Sequence, residues 1–381
     1  MSLAPQYSLL LLLGIWVVVY LLVKPLHLER RGIEMKPLWL TIRTKRFNDL
    51  MVRVATRHPT FWRWFGNLSI AAAIVEIALA VYTLGNNLYN FVNAPQSATP
   101  VVPIVPGITI SFSWFPYILV AIGIAVTIHE ASHGIVASVE KIQIKSSGII
   151  LAPITFGAFV EPNEEDFEKA RLSSKLRVLA SGSFMNALAG ILAILLLLSL
   201  FGSVSGVLVA SVEVGGPAAK AGMSDWDVIY AIDGHPTPDY QTMQVFLAAM
   251  RPGDRVAVDT SRGRLDIDSV SNPQNSSIVF LGIRSYTSYR YVPLRVGEFS
   301  TRFTYNLRLT IEWVQLIMIN LAIFNMLPLY PLDGEGFVSN IIIGRLKHGS
   351  RIVRIALNIF SLSLLGSNMV LSFLRYGITP I

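Results

Sequence analysis

The stretch FPYILVAIGIAVTIHEASHGIVAS, residues 115–138, is apolar from Phe115 to Ile128 and then presents His129, Glu130 and His133 before it ends at Ser138. At the helical rise per residue it is long enough to cross a bilayer core. Two histidines four residues apart share one face of a helix, so both imidazoles can reach one tetrahedral metal. Glu130, offset on the turn between them, can reach a water at that metal. Zinc is the natural occupant. Ionisable groups inside an apolar span are costly to bury, which marks these three as functional unless they merely satisfy one another.

Outward from this stretch the whole chain reads as an α-helical polytopic membrane protein. Of its 381 residues 52% are hydrophobic and only 14% charged, which excludes a disordered chain or a collagen. With no cysteine, disulfides, iron–sulfur clusters and thiolate metal sites are excluded. Six spans are expected, at about Tyr7–Val23, Ser69–Val92, Phe115–Ser138, Leu179–Phe201, Leu307–Leu327 and Ile355–Leu374. The first basic residue, Lys24, follows the first run, so that run reads as an uncleaved anchor. Short loops set the orientation: Lys24–Phe65, Lys141–Arg177 and Arg345–Arg354 hold ten, six and four Lys or Arg, and Asn93–Trp114 holds none. By the positive-inside rule the first three are cytoplasmic, and both chain ends lie outside. The net charge of +7 is thereby accounted for by topology and lipid contact, with no nucleic acid expected.

Two further stretches punctuate the spans. Ile149–Val160 is apolar but too short to cross, and reads as a membrane-touching hairpin or re-entrant piece. Asn163, three residues before Asp166, reads as the cap of a short polar helix. After Ser203 the texture changes to short alternating strands with Gly and Pro turns, up to about Arg302. The expected organisation is 1–114 for the first spans and basic loop, 115–202 and 303–381 for the two parts of a catalytic core, and 203–302 for a water-soluble insert.

A catalytic zinc keeps three protein ligands and one open position. His27, His58 and His348 fall in the basic loops and His235 in the insert, which leaves Asp333 as the best-placed third ligand. Pro328 and Pro331 break the fifth helix just before it, and unwound backbone is tolerated at membrane depth only beside protein or a water-filled cavity. The plainer alternative is a Pro-Gly turn that leaves the membrane with Asp333 solvated.

His129-Glu130-Ala131-Ser132-His133 in one span, Asn325 to Gly334 in a later one, and a soluble insert between them resemble the site-2 proteases, intramembrane zinc metalloproteases. The resemblance implies that His129, His133 and Asp333 bind one zinc ion, that Glu130 is general base and acid, and that the substrate is a single-span membrane protein. A third family motif is similar to Gly182-Ser183-Phe184-Met185-Asn186, with Ser183 where the family has Pro. Asn186 and Asn325 then either donate hydrogen bonds to the developing oxyanion or substrate backbone, or bond between helices. Gly157 and Phe159, within the apolar hairpin, are candidates for holding an extended substrate by strand addition.

The insert is similar to the PDZ domains of membrane and envelope proteases, with Trp226 where that pattern usually has Gly. Such a domain takes an extended peptide or chain end by strand addition, and Gly206, Val207, Leu208 and Val209 are where a carboxylate loop would lie. The insert either binds peptide there or only gates access by size. Glu76, inside the second span, is a functional candidate by default or faces a neighbouring polar group. Three functional readings remain: an intramembrane zinc protease, a membrane-bound zincin of another lineage, and a membrane adaptor with an inactive metal site. The simplest host is a prokaryotic plasma membrane, with the site toward the cytoplasm and the PDZ-like insert outside.

Overall fold

A computed structural model of the chain describes residues 5–26, 28, 32–105, 108–153, 155–285, 289–345 and 349–377. His27 and His348 lie outside the described residues. The chain forms two compact units, Met1–Leu192 with Trp313–Ile381, and Ala193–Glu312.

The first unit is built on helices. After α1 (Pro5–Val23) come strands β1 (Ile33–Met35) and β2 (Leu40–Arg43), then helices α2 (Lys45–Arg57), α3 (Pro59–Asn93) and α4 (Phe115–Val139). A hairpin follows, β3 (Ile144–Ala152) and β4 (Thr155–Pro162), then α5 (Glu164–Lys169) and α6 (Leu172–Leu200). Among the described residues α3, α4, α6, and the later α9 (Thr301–Asn325) and α11 (Ser350–Tyr376) are long and apolar enough to cross a bilayer. They account for five of the six expected spans, and the first falls on α1, where the described apolar stretch, Leu13–Leu26, is shorter. Large apolar side chains such as Leu192, Leu195 and Leu198 on α6 are exposed, as lipid-facing positions require.

Over residues 32–65 the basic segment expected as a loop forms two strands, a helix and the start of α3. Its residues Lys45–Arg57 have helical periodicity: Met51 and Ala55 are buried with Ile135 and Val139 of α4, while Lys45, Arg46, Arg53 and Arg57 are exposed. Strands β1 and β2 join the hairpin in an antiparallel sheet of order β1-β2-β3-β4, with Leu40 opposite Leu151 and Arg43 opposite Gly148. Gly148 is needed there, because an added Cβ would lie 2.9 Å from the Ile42 carbonyl carbon and 3.0 Å from the Arg43 Cα. The apolar piece Ile149–Val160 is thus most of a hairpin. Asn163 caps α5, its side-chain oxygen accepting from the Asp166 amide at 3.1 Å.

Within the second unit a six-stranded sheet runs β10-β9-β7-β5-β14, with β8 beside β7. In chain order its elements are β5 (Gly206–Leu208), β6 (Ser211–Val212), α7 (Pro217–Lys220), β7 (Val228–Ile232), β8 (His235–Pro236), α8 (Tyr240–Ala249), β9 (Arg255–Thr260) and β10 (Gly263–Asp268). Then come β11 (Val270–Asn272), β12 (Asn275–Phe280), β13 (Ile283–Arg284) and β14 (Arg290–Tyr291). Val207, Val209, Ile229, Ile232, Val256, Val258 and Ile267 form its core with Met223 and Met243.

This corrects the expectation of a carboxylate loop at Gly206–Val209. Gly206 to Leu208 is a central strand, Val207, Leu208 and Val209 are 0% exposed, and the amides of Leu208 and Val209 already donate to Tyr289 O and Asp227 O. Amides so engaged cannot cradle a chain end. Trp226 has φ +70°, the left-handed conformation that explains why Gly is usual at its position. Its ring packs on Tyr289 and Tyr305 and under Arg302, which holds the strained backbone in place.

In the first unit one polar clamp ties three strands together. Glu161 on β4 accepts from Lys145 at 2.6 Å and Ser146 at 2.7 Å on β3, and from Arg43 on β2 at 3.2 Å. Chiefly through the Lys145 and Ser146 bonds, the carboxyl is held down at about 2. A carboxylate so depressed stabilises the fold above its ordinary value and loses that contribution as pH falls toward 2. Glu161→Gln should therefore flatten the acid limb of thermal stability between about pH 5 and pH 2, by a small amount because the pair is solvent-screened. Differential scanning of both proteins across that range reads it, and identical acid limbs would show that the clamp contributes nothing.

Candidate metal centre

Helix α4 carries His129, Glu130 and His133 in its last three turns. The two rings meet edge to face with centroids 4.7 Å apart, and both residues are buried. Helix α6 backs them closely. Val178 O pairs with His133 Nδ1 at 2.6 Å, and Ser132 Oγ donates to Ser181 O at 2.9 Å. Gly182 makes this approach possible: a Cβ there would lie 2.7 Å from both Cε1 and Nε2 of His129.

The third component arrives from the far end of the chain. Helix α9 stops at Asn325, and Pro328 and Pro331 prevent its continuation through a turn that leads to α10 (Asp333–Arg345). Asp333, the first residue of α10, turns its Oδ2 to within 3.0 Å of His129 Nε2 and 3.1 Å of His133 Nε2. The two Nε2 atoms are themselves 3.1 Å apart. Two residues on, Glu335 accepts from Arg354 of α11 at 2.9 and 2.7 Å and from Ser339 at 2.7 Å, which pins the start of α10.

Such a cluster can hold a metal ion. Donors on a tetrahedral ion stand about 3.3 Å apart for the bond lengths zinc makes to nitrogen and oxygen, and the three separations here are close to that. The Val178 carbonyl holds the His133 proton on Nδ1, which leaves the Nε2 lone pair facing the cluster. Two imidazole nitrogens and a carboxylate pointed at one another are a donor set for a cation. Asp333 keeps 22% of its side chain exposed against 7% for His129, so the cluster opens on the aspartate side.

The other expected site residues fall at different distances from this centre. Asn325 Nδ2 touches it, 2.7 Å from Asp333 Oδ2 and 3.0 Å from His129 Nε2. Asn186 is fully buried behind His129, with Nδ2 3.1 Å from Nδ1 and Oδ1 without a partner. A substrate cannot reach it there. Helix α6 runs unbroken through Ser183, where the family has Pro. Glu130, beside the histidines, accepts from the Val160 amide of β4 at 2.8 Å.

That last bond fixes which atoms of β4 face outward. Val160 pairs with Ser147, whose carbonyl is taken by Thr44, so neither is bonded across the β3–β4 ladder. By the alternation of antiparallel pairs Ala158 faces the same outer edge, while Gly157 and Phe159 turn their peptide groups inward to β3. The expectation that Gly157 and Phe159 hold a strand is therefore corrected to Ala158 and Val160. Sequence reasoning also missed Val178, Ser132 and the steric role of Gly182, for which the only signal was a small residue inside an apolar span.

Residues 117–367 match peptidase family M50, the range that holds every member of the cluster. The chain belongs to peptidase family M50. This is the site-2 protease family of membrane zinc metalloproteases. An uncharacterized protein of Methanocaldococcus jannaschii is 25% identical to this M50 chain over 329 residues, 84% of this chain and 81% of that one. The membrane-bound transcription factor site-2 protease homolog of Arabidopsis thaliana is 24% identical over 147 residues, 38% of this chain and 29% of the homolog. Among solved structures, the PDZ domain of an SdrC-like protein from Listeria innocua is 23% identical, over 21% of this chain and 93% of that one, with a TM-score of 0.20. Its Listeria monocytogenes counterpart is 25% identical over 22% and 90%, again at 0.20.

The M50 cluster depends on the gap at Gly182. Gly182→Ala should strip most of the zinc from the purified protein, measured by elemental analysis, because the methyl must displace the His129 ring. Gly366→Ala on α11, where a Cβ meets nothing within 4 Å, should keep its zinc and serves as the control. Full zinc in both variants would mean that the helices yield.

Proposed function

We propose that this M50 chain is an intramembrane zinc metalloprotease that hydrolyses peptide bonds within or next to the membrane-spanning segments of single-span proteins. The observation that carries this reading is the convergence of His129, His133 and Asp333 on one point inside the helical unit, with Glu130 on the adjoining turn. A bound zinc supplies Lewis-acid polarisation of the scissile carbonyl and makes water acidic enough to be deprotonated near neutral pH. Glu130 takes the proton of the attacking water and delivers it to the leaving amine nitrogen. Its bond to the Val160 amide holds the carboxylate beside the outer edge of β4.

That edge is where we place the substrate. A helical segment has its carbonyls engaged, so it must unwind before attack, and an unwound strand finds main-chain partners on Ala158 and Val160. Asn325, touching the cluster on its open side, is the amide donor for the developing oxyanion. Asn186 is assigned a different part. The two orientations of its carboxamide have the same shape; with Oδ1 toward His129, the imidazole keeps its proton on Nδ1 and offers Nε2 to the metal. The loop charges favour a site near the cytoplasmic face, with the PDZ-like unit outside recognising an extended chain.

Cleavage of a model single-span substrate in detergent, with zinc content measured in parallel, tests these roles. Glu130→Gln should lower turnover by about 10²–10⁴-fold while retaining zinc. Asp333→Ala should lose both zinc and turnover. Asn186→Leu should weaken zinc binding by about 10–100-fold, as loss of a partner behind a ligand does elsewhere. Zinc-loaded protein that cuts nothing, but still binds peptide, would favour an adaptor instead.

The edge has its own variant. Ala158→Pro removes an outward amide and leaves the β3–β4 ladder intact, so turnover should fall with zinc content unchanged. Turnover equal to that of the unmodified chain would take the substrate off β4.

A further inference from the structure

Among the described residues six buried side-chain oxygens have no hydrogen-bond partner, and four of them belong to Glu76, Ser183 and Ser361. Glu76 is 5% exposed and both serines 0%. Other buried serines of the spans are satisfied: Ser69 donates to Gly66 O, Ser132 to Ser181 O, Ser181 to Val178 O and Ser372 to Asn368 O. The unsatisfied pair is therefore not a general habit of these helices.

All three residues lie one turn from side chains packed around the Met326–Leu327 segment. Glu76 sits on the buried stripe of α3 between Ala73 and Ala80. Ala73 packs with Leu176 and Ala180 of α6, Met326 and Phe337, while Ala80 packs with Leu84, Leu327 and Leu364 of α11. Gly66 lies against Arg177, and Ala73 and Ala180 belong to one packed cluster, so α3 and α6 run in the same direction, with Glu76 one turn beyond Ala73 and Ser183 one turn beyond Ala180. Ala80 meets Leu364, and the Asn368 amide donates to Leu84 O at 3.1 Å, so α11 also runs in that direction, with Ser361 one turn before Leu364. Residues three apart on a helix share a face, which turns Ser183 with Ala180 and Ser361 with Leu364 toward α3.

The chemistry of these groups is narrow. An unpaired carboxylate in an apolar interior is too costly to stand alone. A proton on Glu76 would cancel the charge but add a hydroxyl donor without an acceptor, and would leave both serines as they are. A divalent ion would leave one positive charge uncompensated at membrane depth. Oxygen donors alone, with a single negative charge, suit a hard monovalent cation.

The geometry points to a buried site for a monovalent cation of the sodium class, formed by Glu76, Ser183 and Ser361 against the Met326–Leu327 segment. It lies on the path from Asn325 to Asp333 but uses none of the metal cluster's residues, and it does not depend on the proposed proteolysis. A cation bound there ties α3, α6 and α11 to the segment that carries Asp333 into place.

The test uses the full chain in detergent, with radioactive sodium binding and thermal unfolding followed by tryptophan fluorescence. Sodium chloride is compared with N-methyl-D-glucamine chloride at equal ionic strength. The site requires saturable sodium binding and an unfolding temperature that rises with sodium as a ligand bound to the native state dictates. Both effects should vanish in Glu76→Gln and weaken several-fold in the Ser183→Ala, Ser361→Ala double variant, with zinc content unchanged in the latter. Equal unfolding temperatures in the two salts with no bound sodium, or a sodium effect that survives Glu76→Gln, would overturn the site. Should Glu76→Gln fail to fold, the salt comparison on the unmodified chain and the serine variant decide.

Discussion

Three polar donors, His129 Nε2, His133 Nε2 and Asp333 Oδ2, must stand within 3.1 Å of one another inside an apolar helical unit. Among the described residues nothing else is as demanding, because such groups tolerate this proximity only around a cation or a shared proton. The surrounding features serve that requirement. Gly182 brings α6 onto the imidazoles, the Val178 carbonyl orients one ring and Asn186 the other, and the broken end of α9 carries Asp333 inward. The start of α10 is then fixed from behind by Glu335 and Arg354.

A second framework meets the first at Glu130. The four-stranded sheet draws β1 and β2 from the first 43 residues and β3 and β4 from a hairpin a hundred residues later, and its last strand reaches α4 through the Val160 amide. The sheet thereby sets where the carboxylate of Glu130 rests, and the carboxylate in turn occupies one of the outward amides of β4. Base and strand edge are thus one structural unit.

Much of this was legible in the sequence and some was not, for physical reasons. Apolar runs bounded α4 and α11 to within a few residues, since a bilayer span leaves a long composition signal. The His129-Glu130-His133 spacing and the Pro328–Pro331 break placed the cluster's residues on a helix and at a helix end. Pairing of β2 with β3 left no local trace: Leu40–Arg43 is short and sits among lysines and arginines that read as a topology signal. The same charges hid the period of α2. Gly206–Val209 was misplaced because a Gly followed by apolar residues describes a buried strand as well as a binding loop, and only the partners of its amides separate the two. For Asn186 residue type suggested a donor, but only the fold shows which face of the helix it shares with His129.

The separation of the cluster's halves has a consequence for how the molecule comes into being. Asp333 lies 204 residues beyond His129. At about 5–20 residues per second, a ribosome needs roughly 10–40 s to travel from one to the other. Throughout that interval the histidine-bearing helix is already made, while the aspartate that completes the donor set has yet to be translated. The nascent chain is therefore barred from assembling its three-donor centre until the second unit has been synthesised and the C-terminal helices begin to emerge.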